Sequence, residues 1–91
     1  MPAWTVLAAN DLRAQLTYIA RENPEAAKNA AITIKVACAA LDQFPKIGRQ
    51  GAVKDTRELV VPGTPYICVY RIVSRRVEIL RLLHAKMMWP Q

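Results

Sequence analysis

Residues 66–84 have the sequence YICVYRIVSRRVEILRLLH, in which two runs rich in β-branched and aromatic side chains flank Ser74-Arg75-Arg76. Such residues favour extended backbone, and a short polar break between two such runs is typical of a hairpin turn. The stretch therefore predicts a strand over residues 66–73, a tight turn, and an antiparallel strand over residues 77–83. In the second strand, simple alternation would put Leu80, Leu82 and His84 on one face and Ile79, Arg81 and Leu83 on the other.

The first half of the chain has a helical period. Trp4-Thr5-Val6-Leu7 predicts a short strand, and Asn10 offers a side-chain oxygen that would cap a helix starting at Asp11. That helix would carry an apolar stripe at positions i, i+4 and i+7, formed by Leu12, Leu16 and Ile19.

Asn23-Pro24 predicts the boundary between this helix and a second one, because proline disfavours helical geometry in the preceding residue and suits the first turn of a helix. The second helix should extend to about Gln43 and pack antiparallel to the first, since the link is short. Its predicted inner face is rich in alanine and consists of Ala27, Ala30, Ala31, Ile34, Cys38 and Leu41.

A further extended run, Glu58-Leu59-Val60-Val61, lies before the hairpin. We therefore predict one domain over residues 1–91 of the α+β class. An N-terminal strand and a helical hairpin would pack on one face of a small, mostly antiparallel sheet.

Charge is distributed unevenly along the chain. Thirteen Lys and Arg against seven Asp and Glu give a net charge of +6. Residues 1–45 are balanced, whereas residues 46–91 hold nine cationic against three acidic residues and so account for the whole surplus. This surplus favours an anionic partner, such as nucleic acid, an acidic protein or a membrane surface.

Most catalytic and metal-binding signatures are absent from the sequence. It has one histidine, no phosphate-binding glycine motif, and two cysteines, Cys38 and Cys68, in apolar stretches without metal-site spacing. We expect two free buried thiols and neither a metal nor a cofactor. There is no basic segment followed by an apolar one at the N-terminus, and no run approaches the ~18 apolar residues of a membrane span. We therefore expect a cytoplasmic protein without a membrane partner.

The candidate chemical groups lie in the second half. His84 could carry a proton near neutral pH, although a lone histidine ending an apolar strand is more often packed in a structural role. Arg57, Arg71 and Arg81 could clamp phosphate or carboxylate groups, with Arg71 and Arg81 converging on the sheet face away from the helices. Alternatively, these arginines form surface ion pairs with Glu58 or Glu78.

Aromatic side chains offer two further candidates. Tyr66 and Tyr70 share a strand face and could stack bases, but we favour a core position for both. Trp89 stands near the C-terminus, either as a lid or as an anchor for a partner.

Several segments in order resemble the RelE/ParE superfamily of bacterial type II toxins, and the resemblance covers nearly the whole chain. The segments are Ala9-Asn10-Asp11-Leu12, Tyr18-Ile19-Ala20, Asn23-Pro24-Glu25-Ala26-Ala27, Phe44-Pro45, Gly48-Arg49, Thr56-Arg57-Glu58-Leu59-Val60-Val61, Pro65-Tyr66-Ile67, Val69-Tyr70-Arg71-Ile72, Ile79-Leu80-Arg81-Leu82-Leu83-His84 and Trp89-Pro90. The resemblance implies the same α+β fold and a toxin neutralised by a co-expressed antitoxin in a hetero-oligomer.

Members of this superfamily divide by target, since RelE-like toxins cut messenger RNA in the ribosome and ParE-like toxins poison DNA gyrase. In the alignment that this resemblance implies, Ile67 occupies the strand position at which the RelE-like nucleases carry a phosphate-binding arginine. An isoleucine side chain cannot stabilise a phosphate. The ending of residues 80–84 and Trp89-Pro90 is closer to the ParE-like branch. We therefore expect gyrase inhibition by direct binding.

Two alternatives stay open. One is a metal-free, ribosome-dependent nuclease acting on messenger RNA through Arg81, His84 and Lys86, and the other is a non-toxic basic nucleic-acid-binding module. For the gyrase hypothesis, the stripe of Leu12, Leu16 and Ile19 would bind the antitoxin. The target-binding residues would be Arg57, Arg71, Arg81, His84, Lys86 and Trp89.

Overall fold

The computed structural model describes residues 2–86 as two helices packed on a five-stranded mixed sheet. The elements in chain order are β1 (Ala3–Trp4), α1 (Val6–Ala20), α2 (Pro24–Ala39), a 3-10 turn (Ala40–Asp42), β2 (Arg49–Gln50), β3 (Arg57–Val60), β4 (Tyr66–Val73) and β5 (Arg76–His84). The strand order is β1-β5-β4-β3-β2, with β1 parallel to β5 and every other neighbouring pair antiparallel. The predicted α+β class is confirmed.

Helix α1 begins earlier than the sequence suggested. Thr5, not Asn10, is the N-cap, because its hydroxyl oxygen accepts the Ala8 backbone N–H at 3.1 Å. The Thr5 hydroxyl also donates to the Leu80 carbonyl and its backbone N–H to the Ile79 carbonyl, which fixes the start of the helix on β5. Val6 and Leu7, predicted as strand, therefore lie in the first helical turn. The strand is only Ala3–Trp4.

Helix α2 follows the predicted pattern at its start and differs at its end. The Asn23 side chain accepts the Ala26 N–H at 3.0 Å, and Pro24 occupies the first turn. The helix ends at Ala39, and the chain then tightens into the 3-10 turn instead of continuing to Gln43. Of the predicted inner face, Ala27, Ile34, Cys38 and Leu41 are buried, and Ala30 and Ala31 are half-buried.

A β-bulge interrupts the β4–β5 ladder. Val69 pairs with Arg81 and Tyr70 with Ile79, so Leu80 is an extra residue without a partner on β4. A bulge of this kind shifts the alternation of side chains by one position. Ile79 and Leu82 consequently both belong to the core, and the simple alternation predicted for this strand is wrong.

The core has one polar anchor in Tyr70. Its ring is fully buried, its hydroxyl oxygen accepts the Gly48 N–H at 2.9 Å, and the hydroxyl donates to the Pro45 carbonyl at 2.7 Å. A Cβ atom on Gly48 would lie 2.7 Å from the Tyr70 hydroxyl, so the loop before β2 needs glycine there. Tyr66 is also buried, and the predicted core position of both tyrosines is confirmed.

Helix α1 is tied to β5 by a partly buried ion pair. Arg81 donates to the Asp11 carboxylate from Nε at 2.7 Å and from Nη2 at 3.1 Å, and the Leu82 backbone N–H donates to the same carboxylate at 3.0 Å. The side chains of Arg81 and Asp11 are only 15% and 14% exposed. The bond with Asp11 raises the pKa of Arg81. Strand β1 pairs with β5 through Ala3 and Trp4, opposite Glu78 and Ile79. Further along the same edge of β5, the Asp11 carboxylate takes the place of a strand partner by accepting the Leu82 N–H.

We expect Asp11→Asn to lower the free energy of unfolding by about 2–3 kcal/mol, because it removes the charge that Arg81 and the Leu82 N–H share. The matched variant Glu78→Gln breaks the exposed cross-strand pair with Arg71 and should cost no more than ~1 kcal/mol. Urea denaturation followed by circular dichroism measures both. Equal losses in the two variants would show that the Asp11 contact is not a main tie between the layers.

Candidate functional site

A cleft of about 600 Å³ opens between β4 and the loop that joins β2 to β3. Its charged lining includes three cations, Lys54, Arg57 and Arg71, and one carboxylate, Asp55. Ile72 and Val73 line the same cleft and are 37% and 44% exposed. We call this surface the basic cleft. It combines cationic and apolar side chains, which suits contact with an acidic surface.

The arginines of the basic cleft are fixed by different partners. Arg57 donates from Nη1 to the Gly48 carbonyl at 2.8 Å and to the Lys46 carbonyl at 3.3 Å, so it also holds the loop before β2. Arg71 forms a 2.7 Å ion pair with Glu78 on β5, one of the surface pairs that the sequence allowed. Lys54 has no hydrogen-bond or ion-pair partner within residues 2–86. Its charge is therefore the one in this cleft that the fold leaves free.

The β4–β5 turn extends the positive surface beyond the cleft. Ser74 and Arg75 have φ angles of 50° and 67°, the left-handed conformation that a two-residue hairpin turn requires at both positions. Glycine or asparagine usually fills such positions, and a non-glycine residue there costs about 1 kcal/mol or more. Arg75 and Arg76 are exposed and unpaired in the described part of the chain. We call Ser74, Arg75 and Arg76 the hairpin tip.

Arg81 does not join Arg71. The register places Arg71 opposite Glu78 and Arg81 opposite Val69, with the bulge between the two pairs. Arg81 instead binds Asp11 on α1. The prediction that Arg71 and Arg81 converge on the sheet face away from the helices is therefore wrong, because the bulge and the α1 carboxylate redirect Arg81.

The end of β5 carries the remaining predicted residues. The His84 ring packs edge-on against Tyr66 at a centroid distance of 5.7 Å, and its Nδ1 accepts the Lys86 backbone N–H at 3.1 Å. This is a packed arrangement, in which the ring nitrogen is paired with a backbone amide. Lys86 is exposed, and Trp89 lies outside the described residues. Ile67 is half-buried and pairs with Val60 and Leu83 in the sheet.

A second surface lies over the helices and β1. It is an apolar groove of about 510 Å³, which we call the helical groove. Its lining consists of Pro2, Trp4, Ala9, Leu12, Arg13, Leu16, Lys35 and Ala39. Leu12 and Leu16 of the predicted stripe are in this groove, whereas Ile19 packs against the core and is not part of the lining. The groove thus offers an apolar floor with two cations beside it.

The roles of Lys54 and Asp11 are not evident from the sequence. Lys54 lies in a loop without a regular pattern, and only the fold brings it beside Arg57 and Arg71. Asp11 is a carboxylate next to the apolar stripe of α1. This position only weakly predicts that it has a buried cationic partner. Within residues 2–86, no group of three His, Cys, Asp or Glu residues could hold a metal ion, and no helix is long and apolar enough to cross a membrane.

Comparisons with known proteins give a consistent family. Residues 3–89 match the model of the ParE toxin of the type II toxin-antitoxin system parDE. The chain is 46% identical over 88 residues to "Putative toxin Y4kP" of Sinorhizobium fredii, covering 97% of this chain and 91% of that protein. It is 39% identical over 82 residues to "Toxin RelE2" of Caulobacter vibrioides, covering 90% of this chain and 91% of that protein.

The fold agrees with the sequence matches. A solved structure of the chromosomal ParDE system from P. aeruginosa superposes with a TM-score of 0.83 at 28% identity, covering 92% of this chain and 96% of that chain. The match to the family model extends over nearly all of the chain, including β1, both helices and the β4–β5 hairpin. The chain therefore belongs to the ParE family of toxins of type II toxin-antitoxin systems.

Proposed function

We propose that this toxin stops growth by binding DNA gyrase in the cytoplasm through the basic cleft and the hairpin tip. A cognate antitoxin would neutralise it by covering the helical groove in a toxin–antitoxin hetero-oligomer. Membership of the ParE family supports an antitoxin partner, and the resemblance to ParE-like toxins supports gyrase as the target. On this proposal the toxin acts by binding and not by catalysis.

The observation that carries the proposal is the position of the free cations. Lys54, Arg75 and Arg76 have no acidic partner in the described chain, and they lie beside the exposed Ile72 and Val73. Arginine is among the residue types that dominate protein–protein binding energy, and exposed apolar side chains beside it add surface that a partner can bury. Unpaired charges also accelerate association with an acidic partner. This surface therefore fits a protein target with acidic residues.

The alternative is a ribosome-dependent nuclease. The similarity to the relative named Toxin RelE2 is the reason to test it. It would use Arg81, His84 and Lys86 on a phosphodiester. Arg81 is held by two bonds to Asp11, and the Nδ1 atom of His84 already accepts a hydrogen bond. A nuclease mechanism would have to release Arg81 before it could bind phosphate, so we favour gyrase binding.

The helical groove fits an antitoxin segment with apolar and acidic residues. Leu12 and Leu16 provide apolar contacts, and Arg13 and Lys35 provide positive charge at the same groove. On α2, Ile32 and Val36 are 57% and 66% exposed and lie one turn apart, which extends the apolar surface along the helix. An amphipathic segment laid along the groove would bury these side chains.

The double variant Lys54→Glu/Arg71→Gln should reduce inhibition of gyrase supercoiling by at least about tenfold, because it removes positive charge from the basic cleft. The control is Lys28→Glu/Arg21→Gln, which makes the same charge change at exposed positions on α2 and in the turn after α1. Both variants should fold, as judged by circular dichroism. If the two variants inhibit gyrase equally well, the basic cleft is not the gyrase-binding surface.

His84→Gln should leave growth inhibition within about threefold of the unmodified toxin, because glutamine can keep one hydrogen bond of the packed histidine. Glutamine cannot transfer a proton near neutral pH, so the same variant would inactivate a nuclease that depends on His84. The readout pairs growth arrest with gyrase cleavage-complex trapping and with mapping of messenger ends in ribosomes. If messenger is cut in the ribosomal A site and the folded variant loses that cleavage, the toxin is a nuclease and the gyrase proposal is wrong.

Leu16→Asp should weaken antitoxin binding by about 30-fold or more, because it replaces a buried apolar contact with a charge in the helical groove. Thr17→Asp places the same charge at the next, exposed position of α1 and should change the affinity little. Titration calorimetry with the protein encoded beside the toxin measures both. Unchanged affinity in the Leu16 variant would move the antitoxin to another surface.

A further inference from the structure

The two cysteines of the chain meet at the boundary between the helices and the sheet. Cys38 lies on α2 and Cys68 on β4, thirty positions apart, and their Sγ atoms are 3.6 Å from each other. The two residues are 1% and 0% exposed, and both thiols are free. Neither residue lines the basic cleft or the helical groove, so this contact is not explained by the proposed function.

The two thiols differ in acidity. The hydrogen bond between the sulfurs raises the pKa of Cys68, and burial raises it further. The same bond lowers the pKa of Cys38. Cys38 is therefore the sulfur expected to attack an oxidant. A second thiol in contact with the attacking sulfur is the arrangement from which a sulfenic acid passes to a disulfide.

We propose that Cys38 and Cys68 are a redox-active pair that a hydroperoxide converts into an intramolecular disulfide joining α2 to β4. A disulfide has an S–S distance of about 2.05 Å, so the two sulfurs must approach by about 1.5 Å. Their present contact means that the fold already holds the two sulfurs side by side.

The reaction balances with the peroxide as the oxidant. The Cys38 thiolate attacks one peroxide oxygen, the O–O bond breaks, and the leaving alkoxide or hydroxide takes a proton to become alcohol or water. Cys38 is then a sulfenic acid. The Cys68 sulfur attacks the Cys38 sulfur, the S–O bond breaks, and the Cys68 proton leaves with the hydroxyl as water. Two thiols are oxidised and one peroxide is reduced.

The burial of both thiols affects how fast this reaction proceeds and which product it gives. For an oxidant to reach Cys38, the structure must open locally, and the nearest exposed backbone is the last turn of α2, where Ala39 and Ala40 are exposed before the 3-10 turn at Ala40–Asp42. Oxidation is therefore slower than for an exposed thiol. Once a sulfenic acid forms, the neighbouring thiol captures it before a second peroxide arrives.

The disulfide closes a loop that contains β2 and β3. A cross-link over thirty positions restricts the unfolded chain and so stabilises the folded state. The oxidised toxin should have a melting temperature at least about 5 °C higher than the reduced toxin. Because α2 also contributes to the helical groove, the link would hold that surface on the sheet under oxidising conditions.

The test uses the purified full-length chain exposed to hydrogen peroxide under native conditions, after which the peroxide is removed, the chain is unfolded in denaturant and the free thiols are blocked by N-ethylmaleimide. Trypsin cleaves after Lys35, Lys46, Arg57 and Arg71, so the expected product joins residues 36–46 to residues 58–71. Mass spectrometry should show the loss of two hydrogen atoms from the chain. The rise in melting temperature should disappear after treatment with dithiothreitol.

Methionine oxidation in the same sample shows that the oxidant acted, since the chain has three methionines. The proposal is overturned if these are oxidised while both cysteines stay blockable by N-ethylmaleimide, or if the disulfide joins two chains. Cys68→Ala should accumulate a Cys38 sulfenic acid that dimedone traps, and Cys38→Ala should react more slowly. The peptide map of the unmodified toxin decides the proposal even if either variant fails to fold.

Discussion

The bidentate ion pair between Asp11 and Arg81 connects the helical layer to the sheet at the strand on which the rest of the structure depends. Strand β5 lies between β1 and β4, receives the first turn of α1 through Thr5, and carries the bulge at Leu80. The Asp11 carboxylate accepts three hydrogen bonds there, including one from the Leu82 backbone. A charge pair at this level of burial is stable only when its hydrogen bonds are satisfied, and here both oxygens of the Asp11 carboxylate accept at least one. The position of α1, and with it Leu12 in the helical groove, follows from this contact.

The cations of the chain differ in whether other residues of the fold hold them. Arg81 holds α1, and Arg57 holds the loop before β2 through two carbonyl oxygens. Arg49 and Arg71 form surface pairs with Glu58 and Glu78. In the basic cleft and at the hairpin tip, the cations without a partner among the described residues are Lys54, Arg75 and Arg76. The net charge of the sequence therefore does not locate the charge that is available for binding.

Local patterns predicted the parts of the fold that local patterns determine. Strand β4 is found over the predicted residues, and α2 starts at the predicted cap, because strand propensity and proline geometry act over a few residues. The start of α1 was wrong because Thr5 is fixed by β5, more than seventy residues away in the chain. The bulge in β5 cannot be recognised from the alternation of residues in the sequence. Strand β2 has only two residues, too few to show an alternating pattern.

The same limit applies to the candidate site. Arg57 and Arg71 were singled out as cations that could bind phosphate or carboxylate groups, and the strand register brings them to one cleft. Whether an arginine binds a partner or supports the fold depends on the group opposite it, and for Arg81 that group lies seventy residues away. A residue type alone cannot distinguish these roles.

The commitment of Arg81 has an energetic consequence for how this fold can act on a target. Releasing Arg81 towards a phosphate would leave the Asp11 carboxylate largely buried with only the Leu82 N–H as its partner. Removing one member of a buried pair typically costs about 3–5 kcal/mol, a large share of the roughly 5–15 kcal/mol that stabilises a small domain. Lys54, Arg75 and Arg76 can contact an acidic partner without that loss, since no described residue pairs with them. Binding through these free charges therefore leaves the tie between α1 and β5 intact, whereas chemistry that recruits Arg81 works against it.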